Sequence, residues 1–309
     1  MAHKAKGDSA MVALVLMGAG ASFGSRDVLP YPPPLDNGDS GLFARLEERS
    51  ALVRAIPDDI KATFRINFED GMARFDKHND GNVMSFQRAL ARYLAEFIPG
   101  KNNEYRRLIE SLGVARVVYS TLNYDLLFEL AAGSLGLSTQ YGRTPQAGHI
   151  RLLKPHGSSN FWPQIPLGAL RQCQFHGAGV AIAAPVSPID QQETLLRCQN
   201  EDSLSPAIAM YAEGKPVRVC PDYVTAQQEE WAKVANSASQ VFITGVRVNS
   251  TDTHLWDVLG KSRAKVVYFG LDGDREGFFD WKDAARKKEA YFVNGYFSDA
   301  IDSMKRRLA

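Results

Sequence analysis

Cysteine is scarce: the 309 residues hold only Cys173, Cys198 and Cys220. Three scattered thiols exclude a disulfide framework, and the absence of paired C-x-x-C knuckles excludes a four-thiolate zinc module. His176, three residues beyond Cys173, could be proposed as a fourth ligand, but the three thiolates lack the paired spacing that a structural tetrahedral site prefers. So no metal is expected, and a reducing, cytoplasmic compartment is the simpler reading. The chain also lacks an excess of either charge, with 36 Lys and Arg against 35 Asp and Glu and a net charge of +1. That balance leaves no basic footprint for a nucleic acid, so no direct nucleic-acid binding is expected. Lys305-Arg306-Arg307 reads as a solvated helix end. No apolar run approaches the roughly twenty residues that span a bilayer, so no membrane partner is expected either.

The N-terminus imitates a secretory leader. Lys4 and Lys6 precede the apolar run Ala10–Met17, and Ala19-Gly20-Ala21 resembles a cleavage site. Against that, Asp8 interrupts the basic stretch and the run is at the short end for a leader. Met11–Met17 is apolar without alternation, which suits a strand buried on both faces of a parallel sheet, so the segment is expected to be retained.

Further runs at 115–120, 150–153, 180–184, 240–244 and 265–269 have the same buried-strand character. Helical stretches such as 126–132 and 227–237 lie between several of them, and 297–308 reads as an amphipathic closing helix. Strands alternating with helices predict an α/β fold, a doubly wound parallel sheet of the Rossmann kind. From 40 to 112 apolar residues recur at three- and four-residue intervals, as in Leu42–Glu48, Phe86–Phe97 and Tyr105–Leu112. That region is expected to be a helical subdomain inserted within one domain over residues 10–309. Leu29–Pro34, with four prolines, is a loop or lid. Residues 163–222 show few clear elements.

Three segments invite chemistry. Gly18-Ala19-Gly20-Ala21-Ser22 follows the first strand; it is either a tight strand–helix turn or a loop whose backbone approaches a pyrophosphate. Asn123 and Asp125, in Thr121-Leu122-Asn123-Tyr124-Asp125, follow the next strand; they either cap a helix or hold ribose hydroxyls and a water. His156 stands between Pro155 and Gly157-Ser158, as a structural histidine or as one presented to a pocket for proton transfer near neutral pH.

In this order the three segments resemble the signature of the sirtuin-like family, in particular its prokaryotic NAD-hydrolase branch. Asn67-Phe68-Glu69, Ala183-Ala184-Pro185 and Trp231 are similar to softer features of that branch, as is the stretch Gln240–Gly245 that continues to Asp252-Thr253-His254-Leu255. The resemblance implies NAD as substrate, cleaved at its nicotinamide–ribose bond to nicotinamide and ADP-ribose or a cyclic form. It implies His156, Asn123 and Asp125 as the catalytic group. Gly18, Ala19, Gly20, Ala21 and Ser22 would line the phosphates, with Thr121, Gly157, Ser158 and Gly245 completing the cofactor site. The segment 252–255 would close over the adenosine half, and Gly270-Leu271-Asp272 would meet the adenine. Members of this branch resemble NAD-depleting effectors of antiviral defence, which implies a homo-oligomer or a regulatory partner such as an ATPase or nuclease. The departures are Leu122 where deacylating sirtuins carry Gln, Arg247 where the family has Ser or Thr, and the missing zinc module. Transfer of ADP-ribose, protein deacylation and a non-hydrolysing NAD sensor are the alternative functions.

Overall fold

A computed structural model describes residues 13–35, 38, 40–142, 147–177, 181–209 and 217–309. Met11 and Val12, the first residues of the expected N-terminal strand, lie outside these, as does Val180. The remainder of the first run forms β1 (Ala13–Met17), buried at every position. Its side chains alternate between two apolar cores. Ala13, Val15 and Met17 enter one; Leu14 and Leu16 enter the other. A strand with a core on each face has no solvent side, and that explains its unbroken apolar sequence.

A short helix α1 (Ala19–Phe23) follows, then β2 (Val28–Leu29) and the proline-rich loop. Six helices come next: α2 (Leu42–Arg49), α3 (Ala51–Arg54), α4 (Asp58–Ile66), α5 (Phe68–His78), α6 (Met84–Ala95) and, beyond β3 (Ile98–Pro99), α7 (Glu104–Leu112). This matches the helical character read from residues 40–112. Phe64 organises the layer, stacked on Phe43 at 4.4 Å and on Phe86 at 5.4 Å, with Phe68 edge-on at 5.3 Å. Asn67 caps α5, its side chain accepting from the Glu69 and Asp70 amides.

The chain then returns to the sheet through β4 (Val117–Thr121), α8 (Leu127–Ser134), β5 (Ser138–Gln140) and β6 (His149–Leu153). A hairpin of β7 (Phe161–Pro163) and β8 (Val186–Pro188), together with α9 (Gln191–Asn200), occupies the region that showed few elements in sequence. There, Ile182 makes only an isolated bridge to Val219, so the run at 180–184 is not a sheet strand in its described part. The closing half is α10 (Pro221–Ser237), β9 (Gln240–Thr244), α11 (Thr253–Lys261), β10 (Lys265–Gly270), α12 (Asp272–Ala284), β11 (Ala290–Asn294) and α13 (Phe297–Leu308).

The seven-stranded sheet has the order β11-β10-β9-β1-β4-β6-β5, and its pairs are parallel. One core joins the sheet to the helical layer and to α13, the other to Trp231 of α10 and to Leu255 and Trp256 of α11. Helices thus cover both faces, as in a doubly wound α/β fold. From β1 the chain winds toward β4 and β6; from β9 it winds the other way, to β10 and β11. The topological switch therefore falls between β1 and β9. Register fixes what meets there: Met17 pairs with Thr121 on one side and Thr244 on the other. Hence Gly18, Leu122 and Gly245 leave the sheet at one level.

Gly245 has a φ of +64°, and a β-carbon on it would stand 2.1 Å from the Ala21 nitrogen. Gly245→Ala should therefore destabilise the fold by more than the roughly 1–3 kcal/mol of a strained φ alone. Urea denaturation checks this; an unchanged midpoint would overturn the contact.

Candidate functional site

At the switch point the loops after β1 and β9 pack backbone to backbone. The Gly18 amide donates to the Thr244 carbonyl at 3.1 Å, and the Gly20 amide to the Gly245 carbonyl at 2.9 Å. A β-carbon at Gly18 would lie 2.5 Å from the Gly245 oxygen, and one at Gly20 2.8 Å from the Gly245 α-carbon. The small residues of Gly18–Ser22 are thus required by the neighbouring loop. Two of the amides expected to face a phosphate, those of Gly20 and Ala21, already donate to the Gly245 and Gly18 carbonyls.

A buried polar network extends from that loop. The Asn123 amide nitrogen donates to the Gly18 carbonyl at 2.9 Å and to Ser22 Oγ at 2.8 Å. Ser22 has one hydroxyl hydrogen, and it goes to Asp125 Oδ2 at 2.7 Å. Its lone pairs are then left for Asn123 and for the Tyr105 hydroxyl at 2.8 Å. Asp125 Oδ1 accepts from the Leu127 amide at 3.0 Å, so this residue, one position before the N-cap Leu126, satisfies the first free amide of α8. Thr121 Oγ1 accepts from the Asn123 amide N–H at 3.1 Å and holds the turn.

Burial raises the Asp125 carboxyl above its ordinary value, outweighing the Lys154 ammonium and the Ser22 hydroxyl that pull it down. Burial first, and then the Asp125 charge, raise the Tyr105 phenol well above its usual range. Lys154, completely buried, donates to the Asp125 carbonyl and to the Glu129 carboxylate, each at 2.8 Å.

His156 lies just past β6. Register aligns Leu153 with Ser120 of β4, so Lys154 stands level with Thr121 and His156 just beyond. Gly157 adopts a φ of +84°, and a β-carbon there would meet the Ala207 carbonyl at 2.1 Å. The Ser158 amide donates to that same carbonyl, and the Ala209 amide donates to the His156 carbonyl. Tyr124 ties this turn to the Asn123 network, because its carbonyl accepts from Ser159 and its hydroxyl donates to the Ala209 carbonyl.

His156 Nε2 stands 3.1 Å from His254 Nε2 and 3.5 Å from Asp252 Oδ1. Asp252 and His254 come from the start of α11, across the edge from β6. The resemblance places Asp252–Leu255 over the adenosine half; the structure brings two of its residues, Asp252 and His254, to His156. The available signal was an Asp-x-His pair where a strand gives way to a helix. Glu69 also reaches this loop, accepting from the Asn249 amide at 3.1 and 3.2 Å.

The structure thus gathers Gly18, Ala21, Ser22, Thr121, Asn123, Asp125 and Gly245 into one contact network, with His156, Gly157 and Ser158 on the adjoining turn. An open cleft of about 790 Å³ lies elsewhere, bordered by Tyr141, Asn160, Tyr223, Gln227 and Glu230 and by none of those residues. Cys198 and Cys220 are buried, and desolvation pushes the Cys198 thiol up to about 12, which opposes a thiolate ligand. Among the described residues no helix is long and apolar enough to cross a membrane. Neither a protein-family model nor a curated protein matches the chain.

The raised Asp125 value has a definite sign. A carboxyl whose folded pKa exceeds its unfolded one favours folding most below the unfolded value, and that advantage is lost as pH rises through the folded value. Compared with Asp125→Asn, the wild-type protein should lose stability as pH climbs from about 4 toward neutrality. Urea midpoints across that range check it; parallel curves for the two proteins would contradict it.

Proposed function

We propose that the chain is a sirtuin-like NAD glycohydrolase, releasing nicotinamide and ADP-ribose or its cyclic form. One observation carries the reading. Parallel register delivers Gly18–Ser22, Asn123 and His156 to the carboxyl edge of neighbouring strands β1, β4 and β6, beside the topological switch where open α/β sheets bind ligands.

Cleavage of the nicotinamide–ribose bond passes through an oxocarbenium-like state and needs an oriented nucleophile on the opposite face. His156 is assigned as the base toward water or a ribose hydroxyl, with Gly157 and Ser158 shaping its turn. The Asn123 amide nitrogen already serves Gly18 and Ser22, so its Oδ1 is the atom assigned to the water and ribose. Asp125, fixed by Ser22 and Leu127, supplies negative charge near the developing cation. Thr121, Ala19, Ala21 and Gly245 line the NAD site. The reaction draws on no metal. A cytoplasmic homo-oligomer controlled by a partner protein such as an ATPase or nuclease, acting in antiviral defence, fits an activity that would be toxic if unregulated.

A second reading is a regulator that binds NAD or ADP-ribose without cleaving it. It is favoured by the degree to which Asn123 and Asp125 are engaged within the protein itself.

Chromatography of NAD incubated with the purified chain separates the two. Nicotinamide should appear without any acylated peptide. His156→Ala and Asn123→Ala should each slow its release by about a hundred- to ten-thousand-fold. Thermal melting of both variants controls for folding, since Asn123 also braces the Gly18 loop. Wild-type turnover in both would remove this site from consideration. Tight NAD binding with no turnover would favour the regulator, and a strict need for an acyl-lysine peptide would indicate a deacylase.

A further inference from the structure

We infer that His156, Asp252 and His254 form a three-ligand site for a divalent transition metal of the zinc class. Their donor atoms all lie within 4.8 Å of one another. Two imidazole nitrogens bound to a common ion at about 2.0–2.1 Å must stand close together. The 3.1 Å between His156 Nε2 and His254 Nε2 is the spacing of neighbouring ligands on such an ion, and Asp252 Oδ1 at 3.5 Å from His156 Nε2 supplies the carboxylate. Two imidazoles and one carboxylate are a donor set that borderline metals prefer, and three protein ligands leave positions open.

Asp252 gives the second, independent argument. It occupies the N-cap of α11, where an Asp ordinarily bonds the free amides of its own helix, yet it makes no such bond. Its carboxylate turns to the histidines instead. The ligands also belong to two separate parts of the fold, the turn after β6 and the first turn of α11, and both are anchored in the apolar cores. His156 and Asp252 are buried while His254 is half-buried, which gives the ion a way in.

The cysteines play no part, so this site is unrelated to the zinc module of deacylases. Its consequence for catalysis rests on the NAD-cleaving reading. A metal on His156 Nε2 occupies the lone pair that would accept a proton, so a bound ion would hold the enzyme off.

Equilibrium dialysis of the full chain against zinc, and the visible absorbance of its cobalt(II) form, test the site without reference to activity. One ion per chain is expected. Losing even an outer partner of a metal ligand costs about 10- to 100-fold in affinity. Asp252→Asn and His254→Gln, checked for folding by thermal melting, should therefore each weaken binding by at least that much. Binding well below one equivalent, or undiminished binding in both variants, would overturn the site and leave an ordinary imidazole–imidazole hydrogen bond. In the nicotinamide-release assay, zinc should inhibit the wild type and should not inhibit the remaining activity of His254→Gln. Equal inhibition of both would overturn the control role. If NAD is never cleaved, the catalytic reading fails while dialysis still decides the metal site.

Discussion

The whole carboxyl edge depends on the approach of two backbones. Strands β1 and β9 end at the same level, so the loops that leave them must either diverge or touch. They touch because Gly18, Gly20 and Gly245 present no β-carbon at the contact. Buried amides left without acceptors would cost about 1–3 kcal/mol each, so the exchange of hydrogen bonds between these loops is the condition for closing the edge. Once the Gly18 carbonyl is fixed, it holds the Asn123 side chain. Asn123 and Tyr105 then orient Ser22, Ser22 reaches Asp125, and Asp125 starts α8.

Polar contacts also join the helical layer to the same edge. Tyr105 of α7 enters the Ser22 network, and Glu69 of α5 holds Asn249 in the loop that precedes Asp252 and His254. Within Asn67-Phe68-Glu69, then, the first residue caps a helix, the second fills the aromatic core and the third anchors a loop. The layer is packed into the sheet by one face and fastened to its functional edge by polar contacts.

Much of the architecture was legible in the sequence, for a simple reason. A strand buried on both faces is apolar along most of its length, which exposed β1, β4, β9 and β10; the three- and four-residue periodicity exposed the helical layer and α13. Strands β5 and β11 were not seen: β5 is three polar residues, and β11, apolar from Ala290 to Val293, is a short edge strand half open to solvent. Helix α9 carries few apolar residues and buries only Thr194 and Cys198. At the site, residues following strand ends could be located by position along the chain. The meeting of His156 with Asp252 and His254 could not, since it depends on the order of strands across the sheet. Nor could the sequence distinguish a glycine kept for a ligand from one kept for a neighbouring loop.

Lys154 carries a consequence of a different kind. Its ammonium is sealed from solvent, held between the Asp125 carbonyl and the Glu129 carboxylate. Breaking such a buried pair strands a charge, which typically costs about 3–5 kcal/mol. An amine-directed reagent in water will therefore modify the surface lysines and pass over this one while the end of β6 stays closed against α8. Its rate of labelling becomes a clock for the opening of that part of the molecule, recorded by a single nitrogen at the centre of the fold.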